Sequence, residues 1–194
     1  MYLILYILDF KYHFLIYIIM ELKLEDIIDG TWEIKDGLVN VDGDVEMYDT
    51  KFQEIPFVFG RVTGYFYCSS NKLTTLKGAP NYVSGDFYCS SNKLTSLKGA
   101  PEIVGGDFYC DNNKLWDFKH IGKIEGDFNC DDNPVDEIYQ LCPSLKFIKY
   151  LNELSVIRGN TIIGMRLEDA LYCSDGDDSI VKNLKLKNYV IEWN

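Results

Sequence analysis

Basic residues are scarce in this sequence, and their scarcity excludes one large class of partners. The 194 residues include 19 Lys and Arg against 30 Asp and Glu, so the net charge at pH 7 is −11. Acidic residues outnumber basic ones in the N-terminal, middle and C-terminal parts of the chain alike. Affinity for the phosphate backbone of nucleic acids comes from clustered Lys and Arg side chains that displace counterions. We therefore expect no binding to nucleic acid.

Histidine is rarer still, which excludes most catalytic and metal-binding arrangements. His13 and His120 are the only histidines, and no Ser-His-Asp, Cys-His or His-rich metal set can be built from them. The acidic run from Asp175 to Asp178 lacks the spacing and the distal Glu of a calcium loop, so we expect a solvated turn there. The sequence predicts no enzyme, no cofactor and no metal site.

Six cysteines are present, but CxxC pairs and Cys/His clusters at zinc-ligand spacing are absent. Four of the six recur once per sequence repeat: Cys68, Cys89, Cys110 and Cys130. Equivalent residues of neighbouring parallel strands lie about 4.8 Å apart and point the same way, unlike the facing Cβ atoms of a disulfide. We expect these cysteines to be small, buried, apolar residues of a protein in the reducing cytoplasm.

Residues 1–19 form an apolar segment that is interrupted by Asp9, Lys11 and His13. Charges cost roughly 2.5–3.5 kcal/mol each at the centre of a membrane, and the basic start and cleavage site of a signal peptide are missing. We expect translation to start at Met20, with a membrane anchor and an added apolar strand or helix as the alternatives. Residues 20–40 are then expected to form an N-terminal cap.

A repeated sequence occupies the middle of the chain. Residues 64–80 read GYFYCSSNKLTTLKGAP, residues 85–101 read GDFYCSSNKLTSLKGAP, and altered copies follow. The copies align on Gly43, Gly64, Gly85, Gly106 and Gly126, which gives a period of 21, 21, 21 and 20 residues. Such a period indicates a solenoid of stacked coils. One coil buries too little apolar surface to offset the conformational entropy lost on folding, so each coil needs its neighbours.

Strand-like alternation and a recurring asparagine stand out within each copy. The pattern F-x-C alternates as in a strand, with Phe and Cys pointing inward and their neighbours outward. An asparagine then follows at a fixed position: Asn71, Asn92, Asn113 and Asn133. Where the chain leaves the strand, backbone groups lose their sheet partners, and a side-chain amide can bond to them. We predict an asparagine ladder and a cysteine ladder with structural rather than catalytic roles.

The repeat unit resembles a known family. Residues 66–80 and 87–101 carry the pattern F-x-C-S-x-N-x-L-T-x-L-x-G-x-P, which resembles the bacterial-type leucine-rich repeat. The chain is most similar to leucine-rich-repeat-like accessory proteins of unknown function encoded by tailed bacteriophages and large DNA viruses. The resemblance implies a solenoid that binds proteins in the host-cell cytoplasm, and it implies no catalytic residues.

These observations predict an α/β solenoid, a right-handed leucine-rich-repeat-like stack of about five 20–21-residue coils with a parallel sheet on its concave face. The stack spans residues 41–133, and its first coil is degenerate because Thr50 replaces the asparagine. Residues 134–194 change to helical spacing of apolar positions. We expect them to form a helical C-terminal cap with a strand-like tail over the exposed sheet edge.

The outward strand positions form three rows, and the concave sheet they occupy is where such solenoids usually bind. The first row is Tyr65, Asp86, Asp107 and Asp127; the second is Tyr67, Tyr88, Tyr109 and Asn129; the third is Ser69, Ser90, Asp111 and Asp131. Tyrosine is enriched at protein interfaces, and the acidic residues would select a basic partner. The rows therefore predict a face that binds a protein with a basic surface.

Three other interpretations stay open. Tyrosine and aspartate rows also suit a solvated sheet face with no partner. A second function is structural, in which the face is packed by a neighbouring subunit of a viral particle or assembly. A third is a ubiquitin-ligase-like enzyme, because Cys173, Ser174 and Asp175 have the Cys-x-Asp form of the nucleophile motif in some leucine-rich-repeat effectors of pathogenic bacteria.

Overall fold

The structure is a computed structural model that describes residues 23–193. Its N-terminal end is an antiparallel hairpin preceded by a short 3-10 helical turn, Leu24–Asp26. Strand β1 (Ile28–Lys35) pairs along its whole length with β2 (Leu38–Glu46). Only β2 continues into the stack of coils. Residues 1–19, for which several interpretations were open, lie outside the described residues.

Two columns of short parallel strands follow the hairpin, and each coil contributes one strand to each column. The first strand column is β3 (Phe59–Val62), β5 (Tyr82–Val83), β7 (Ile103–Val104) and β9 (Lys123–Ile124). The second strand column is β4 (Phe66–Tyr67), β6 (Phe87–Tyr88), β8 (Phe108–Tyr109) and β10 (Phe128–Asn129). Strand β2 pairs with β3 through its first half and with β4 through its second half, so both columns begin on it.

The predicted solenoid stack is confirmed by the register of these strands. Phe66 pairs with Phe87, Phe87 with Phe108 and Phe108 with Phe128, so equivalent residues of successive coils are direct neighbours. The stack has about four turns, and the five coils that the glycine spacing predicts are not confirmed. Where the first of those five was expected, the chain forms the long strand β2, which is hydrogen-bonded to β1.

The core consists of columns of identical or similar side chains that run along the stack. Successive rings of the phenylalanine column lie 5.1 to 5.8 Å apart between centroids. The other buried columns include Cys68, Cys89, Cys110 and Cys130; Leu73, Leu94 and Leu115; and Leu76, Leu97 and Phe118. Because the same side chains recur at the same place in each coil, every coil offers its neighbour a matching apolar surface.

The return segments of two coils contain a glycine with a positive φ, and the third coil has His120 with φ +65° at that position. Gly99 has φ +91°, and a Cβ atom there would lie 2.9 Å from the carbonyl oxygen of Leu76 in the preceding coil. Gly78 has φ +98° at the equivalent place. The Lys-Gly-Ala-Pro sequence therefore provides a tight turn in which only glycine has both the backbone freedom and the room.

Short helices and a small sheet cover the last coil. The helices are α1 (Asp136–Tyr139), α2 (Leu145–Glu153) and α3 (Gly164–Cys173), followed by a 3-10 turn, Asp178–Asn183. A three-stranded sheet in the order β11-β12-β13 is built from Ile157–Arg158, Thr161–Ile163 and Val190–Glu192. Over residues 23–193, no helix has both the length and the apolar character needed to cross a membrane.

Aromatic packing and two specific contacts attach this C-terminal region to the stack. The ring of Tyr139 packs edge-on against Phe128 at 5.5 Å, which covers the end of the phenylalanine column. Tyr189 donates a hydrogen bond from its hydroxyl to the carbonyl oxygen of Trp116 at 2.7 Å. Asn152 donates from its side chain to the carbonyl oxygen of Phe118 at 3.0 Å. The last coil therefore does not present an open apolar end.

Candidate functional site

The second strand column carries the outward rows that the sequence identifies as a binding face. We call this surface the Tyr–Asp face; it comprises Tyr65, Tyr67, Tyr88 and Tyr109 with Asp86, Asp107, Asp111, Asp127 and Asp131. The four tyrosines are half-buried, as are three of the aspartates, Asp86, Asp107 and Asp111. The other two aspartates, Asp127 and Asp131, are exposed. Alternation along each two-residue strand directs these side chains away from the core while Phe and Cys point into it.

The tyrosine rings form one continuous stack along the face. Tyr67 lies 4.9 Å from Tyr88, and Tyr88 lies 4.9 Å from Tyr109, the latter pair with an interplanar angle of 2°. Tyr48 extends the stack at its N-terminal end, 5.2 Å from Tyr67, and 55% of its surface is exposed. Glu46 pairs with Tyr67, so Tyr48 occupies the repeat position of Ser69 and not that of the tyrosine row. The repeat pattern therefore did not predict that Tyr48 belongs to the stack.

The aspartates before each phenylalanine have a structural role that the sequence did not indicate. Asp86 accepts a hydrogen bond at Oδ1 from the backbone N–H of Asp107 at 2.8 Å, and Asp107 accepts in the same way from Asp127 at 2.7 Å. Each carboxylate thereby bonds to the next coil. Gly106 makes room for it, because a Cβ atom there would overlap Oδ1 of Asp86. The recurring Gly-Asp pair is therefore an inter-coil contact.

The second oxygen of these carboxylates holds the tyrosine row in place. Tyr88 donates from its hydroxyl to Oδ2 of Asp86 at 2.7 Å, and Tyr109 donates to Oδ2 of Asp107 at 2.9 Å. In the first repeat copy Tyr65 replaces the aspartate and donates instead to Glu46. Asp86 and Asp107 are thus engaged within the fold, which leaves Asp127 and Asp131 as the more accessible acidic groups.

The third row differs from coil to coil. Ser90 donates from its hydroxyl to Oδ1 of Asp111 at 2.5 Å. Ser69 is buried, and among the described residues its hydroxyl has no hydrogen-bond partner. Asp131 receives no side-chain bond of this kind; its backbone N–H donates to Oδ1 of Asn129 at 2.8 Å. The accessible acidic character of this row therefore increases toward the C-terminal end of the stack.

Hydrogen bonds to carboxylates raise the pKa of the tyrosines on this face. The bond to Glu46, followed by burial, raises the pKa of Tyr65 to about 12. The bonds to Asp86 and Asp107, again followed by burial, raise the pKa of Tyr88 and of Tyr109 above the ordinary value of 10.0. The cause is physical: an ionised phenol could not donate to the carboxylate and would be repelled by it.

We expect this arrangement to weaken the protein at alkaline pH. Because the folded-state pKa of these tyrosines lies above the unfolded value of about 10, their contribution to stability is complete below pH 10 and is lost as pH rises above it. For Tyr65 the loss extends to about pH 12. Absorbance at 295 nm should show a late-ionising fraction that shrinks in a Tyr88→Phe, Tyr109→Phe variant. A single ionisation step near pH 10 would contradict the assignment.

The asparagine ladder lies beside this face, at the turn that ends each second-column strand. The side-chain N–H₂ of Asn92 donates to the carbonyl oxygens of Cys68, Cys89 and Ser90 at 3.0, 3.1 and 3.2 Å. Its Oδ1 accepts from the backbone N–H of Leu73 at 2.9 Å. Asn71, Asn113 and Asn133 make the equivalent bonds, and all four are buried. Each asparagine thus joins its own coil to the preceding one.

The cysteines of the repeat are free thiols enclosed in the core. Burial raises the pKa of Cys68, Cys89, Cys110 and Cys130 well above the ordinary thiol value, because a thiolate would lose its hydration there. A nucleophile or metal ligand needs an accessible thiolate. These four residues therefore have the environment of packing groups.

The Cys-x-Asp sequence lies in the C-terminal region, at the end of α3. Cys173 is the last residue of α3 and is half-buried, while the carboxylate of Asp175 forms an ion pair with Lys146 at 2.6 Å. His120 is exposed in the return turn of its coil, with φ +65°. Among the described residues, no group of three or more His, Cys, Asp or Glu is arranged to hold a metal ion.

Comparison with known proteins gives no match: no family model, no curated protein and no solved structure is similar to this chain.

Proposed function

We propose that this chain is a non-catalytic protein-interaction module that binds a partner with a basic surface through the Tyr–Asp face. The observation that carries the proposal is the stack of the half-buried Tyr67, Tyr88 and Tyr109, spaced 4.9 Å apart, in which carboxylates of the same face hold Tyr88 and Tyr109. Each ring offers an apolar surface with a polar tip, as interface tyrosines do.

Pre-organisation favours binding at this surface. The rings of Tyr88 and Tyr109 are restrained on both sides, by stacking on each other and by hydrogen bonds to Asp86 and Asp107. A partner that packs on them loses little further side-chain entropy. The exposed carboxylates of Asp127 and Asp131 at the end of the stack would orient a basic partner and increase its association rate.

We also propose a finer classification of the fold. The pattern F-x-C-S-x-N-x-L-T-x-L-x-G-x-P supports a right-handed stack of leucine-rich-repeat type, with the segment that begins at β2 counted as a fifth coil. In this proposal the Tyr–Asp face is the concave face. The same resemblance supports a role as an accessory protein of a tailed bacteriophage or large DNA virus, acting in the host cytoplasm.

A binding comparison between two outward surfaces tests the proposed function. The full chain is immobilised and exposed to an extract of the cells that express it, and bound proteins are quantified by mass spectrometry. We expect at least one partner to be lost by about tenfold or more when Tyr67, Tyr88 and Tyr109 are all replaced by alanine, because interface tyrosines are frequent hot spots.

The matched control uses the outward row of the first strand column. Tyr82 and Ile103 are neighbours in that row, and their replacement by alanine should leave the partner bound. Circular dichroism must show that both variants are folded. Equal capture by the wild-type chain and the tyrosine variant would overturn the proposal.

A further inference from the structure

Six exposed lysines lie on another side of the same coils, in the segment that follows the asparagine turn. They form two rows: Lys72, Lys93 and Lys114, and then Lys77, Lys98 and Lys119. In each coil the leucines or phenylalanine between them point into the core, so the lysines point outward. Within residues 23–193, only Lys119 of these six has an ion-pair partner, Asp117 at 3.3 Å.

The backbone N–H groups of both lysine rows form hydrogen bonds, between coils in the first row and within a coil in the second. The N–H of Lys93 donates to the carbonyl oxygen of Leu73 at 2.9 Å, and the N–H of Lys114 donates to that of Leu94 at 2.8 Å. The second row is fixed by local turns, in which the N–H of Lys98 donates to the hydroxyl of Ser96 at 3.2 Å. Between the rows lie Thr74, Thr95 and Trp116, all exposed. We call this surface the lysine face.

The two faces match each other in charge pattern. The Tyr–Asp face has an aromatic row between two rows that become acidic, and the lysine face has a hydroxyl and aromatic row between two basic rows. The flanking rows are four residues apart in the sequence on the first face and five on the second. Flexible lysine side chains easily span that difference.

The two faces also match in their spacing along the stack. Both repeat once per coil, at the roughly 4.8 Å separation of neighbouring parallel strands. Lysines of one copy can therefore meet the remaining carboxylates of another in two successive coils, Asp111 in one and Asp127 and Asp131 in the next. Within each face, like charges stand next to each other, which is unfavourable in an isolated chain. Contact between the two faces would relieve the repulsion on both.

We propose that the lysine face of one copy of this chain binds the Tyr–Asp face of a second copy. This inference rests on the proposed function, since it identifies the basic partner of the Tyr–Asp face as the chain itself. The net charge of −11 repels a nucleic acid and a second copy alike, but of the two only the second copy presents carboxylates at the once-per-coil spacing of the lysines. The contact joins two different surfaces, so a bound pair still has one unused face of each kind, one on each copy, and further copies can add.

Neutralising each face separately tests this contact. One variant carries Asp111→Asn, Asp127→Asn and Asp131→Asn, which removes charge, leaves Asp86 and Asp107 in place, and keeps an amide oxygen at residue 111 to accept the bond from Ser90. The other carries Lys72→Gln, Lys93→Gln and Lys114→Gln. Sedimentation velocity over a concentration series at low salt should show growing assemblies for the wild-type chain. Each variant alone should associate about tenfold more weakly or worse, because three ion pairs are lost.

Mixing the two variants gives the decisive result. In an equimolar mixture one intact Tyr–Asp face and one intact lysine face remain available, so we expect complexes of two chains and no larger assemblies. High salt should dissolve both kinds of complex. Similar thermal unfolding curves for the variants must show that both are folded.

Three outcomes would overturn the inference. They are a monomeric wild-type chain at every concentration, self-association that survives neutralisation of either face, and binding of a DNA oligonucleotide by the lysine face without self-association. The proposed function is judged separately. If the chain is monomeric, the proposed function still holds when a protein captured by the wild-type chain is not captured by the tyrosine variant. The proposed function fails if the two chains capture the same proteins equally.

Discussion

Replacing Asn92 with aspartate is expected to destabilise the protein by about 3–5 kcal/mol, the range for a buried charge without a partner. The amide nitrogen of Asn92 donates to three carbonyl oxygens from two coils. An ionised carboxylate of the same shape would place a negative oxygen against those three acceptors, and none of them could be satisfied. The free energy of unfolding, from urea titration at pH 7, measures the loss.

The loss should depend on pH in a defined direction. Burial among carbonyl oxygens raises the folded-state pKa of the introduced carboxyl above its unfolded value of about 3.9. The penalty is therefore smallest below that pH, where the neutral acid can donate one hydrogen bond, and it grows as pH rises through the folded-state pKa.

Asn112 provides the matched control for this substitution. It is exposed, and it occupies the turn position at which the next coil has Asp132, both with positive φ. Its side-chain N–H₂ donates to Ser91 Oγ at 3.1 Å, and an aspartate can accept from that hydroxyl instead, so Asn112→Asp should change stability by less than about 0.5 kcal/mol. Similar losses for the two variants would show that the ladder asparagine is not the inter-coil link described here.

Phe108→Ala is expected to cost about 3–5 kcal/mol through a cavity in the middle of the stack. The ring of Phe108 is fully buried and lies between Phe87, at 5.1 Å, and Phe128, at 5.8 Å. Because each coil depends on both neighbours, the cavity weakens two coil interfaces at once. Thermal unfolding followed by circular dichroism should show a large fall in the midpoint.

Substitution of the adjacent residue, Tyr109, tests whether the loss in Phe108→Ala comes from core packing or from removal of any aromatic ring. Tyr109→Ala removes a side chain of similar size from the same strand, but from its outward side. We expect it to cost about 2 kcal/mol, because one stacking contact and one hydrogen bond contribute about 1 kcal/mol each. A Tyr109→Ala variant as unstable as Phe108→Ala would contradict the assignment of the core.

The period of the sequence was sufficient to predict a stack of coils, because the same inward residues recur at 20 or 21 residues. The inward positions of Phe87 and Cys89 follow from alternation in one strand and need no knowledge of other coils. The number of turns was harder to predict from the sequence. Val45 and Met47 keep the repeat rhythm, and nothing in that rhythm indicates that β2 pairs with an antiparallel strand before it.

Contacts between coils were the hardest features to predict. The sequence shows Asp86 as an outward acidic residue, and only the position of the next coil shows that its carboxylate bonds to the N–H of Asp107. Tyr48 escaped notice because it joins the tyrosine stack from a different repeat position. The lysine rows were not predicted because the net charge of a long segment does not show where its charges lie. Lys93 and Lys114 are fewer than the acidic residues of the same segment, which lie on another side of the coil.

The asparagine bonds have a direction, and that direction matters during protein synthesis. The Leu73 N–H of one coil is satisfied by Asn92, which belongs to the coil that follows and which adds a second hydrogen bond to the Cys68 carbonyl. A nascent chain leaving the ribosome therefore lacks the group that completes its newest coil until most of the next one has been translated. We expect folding on the ribosome to lag synthesis by about one repeat, with the final coil completed only when the cap has emerged.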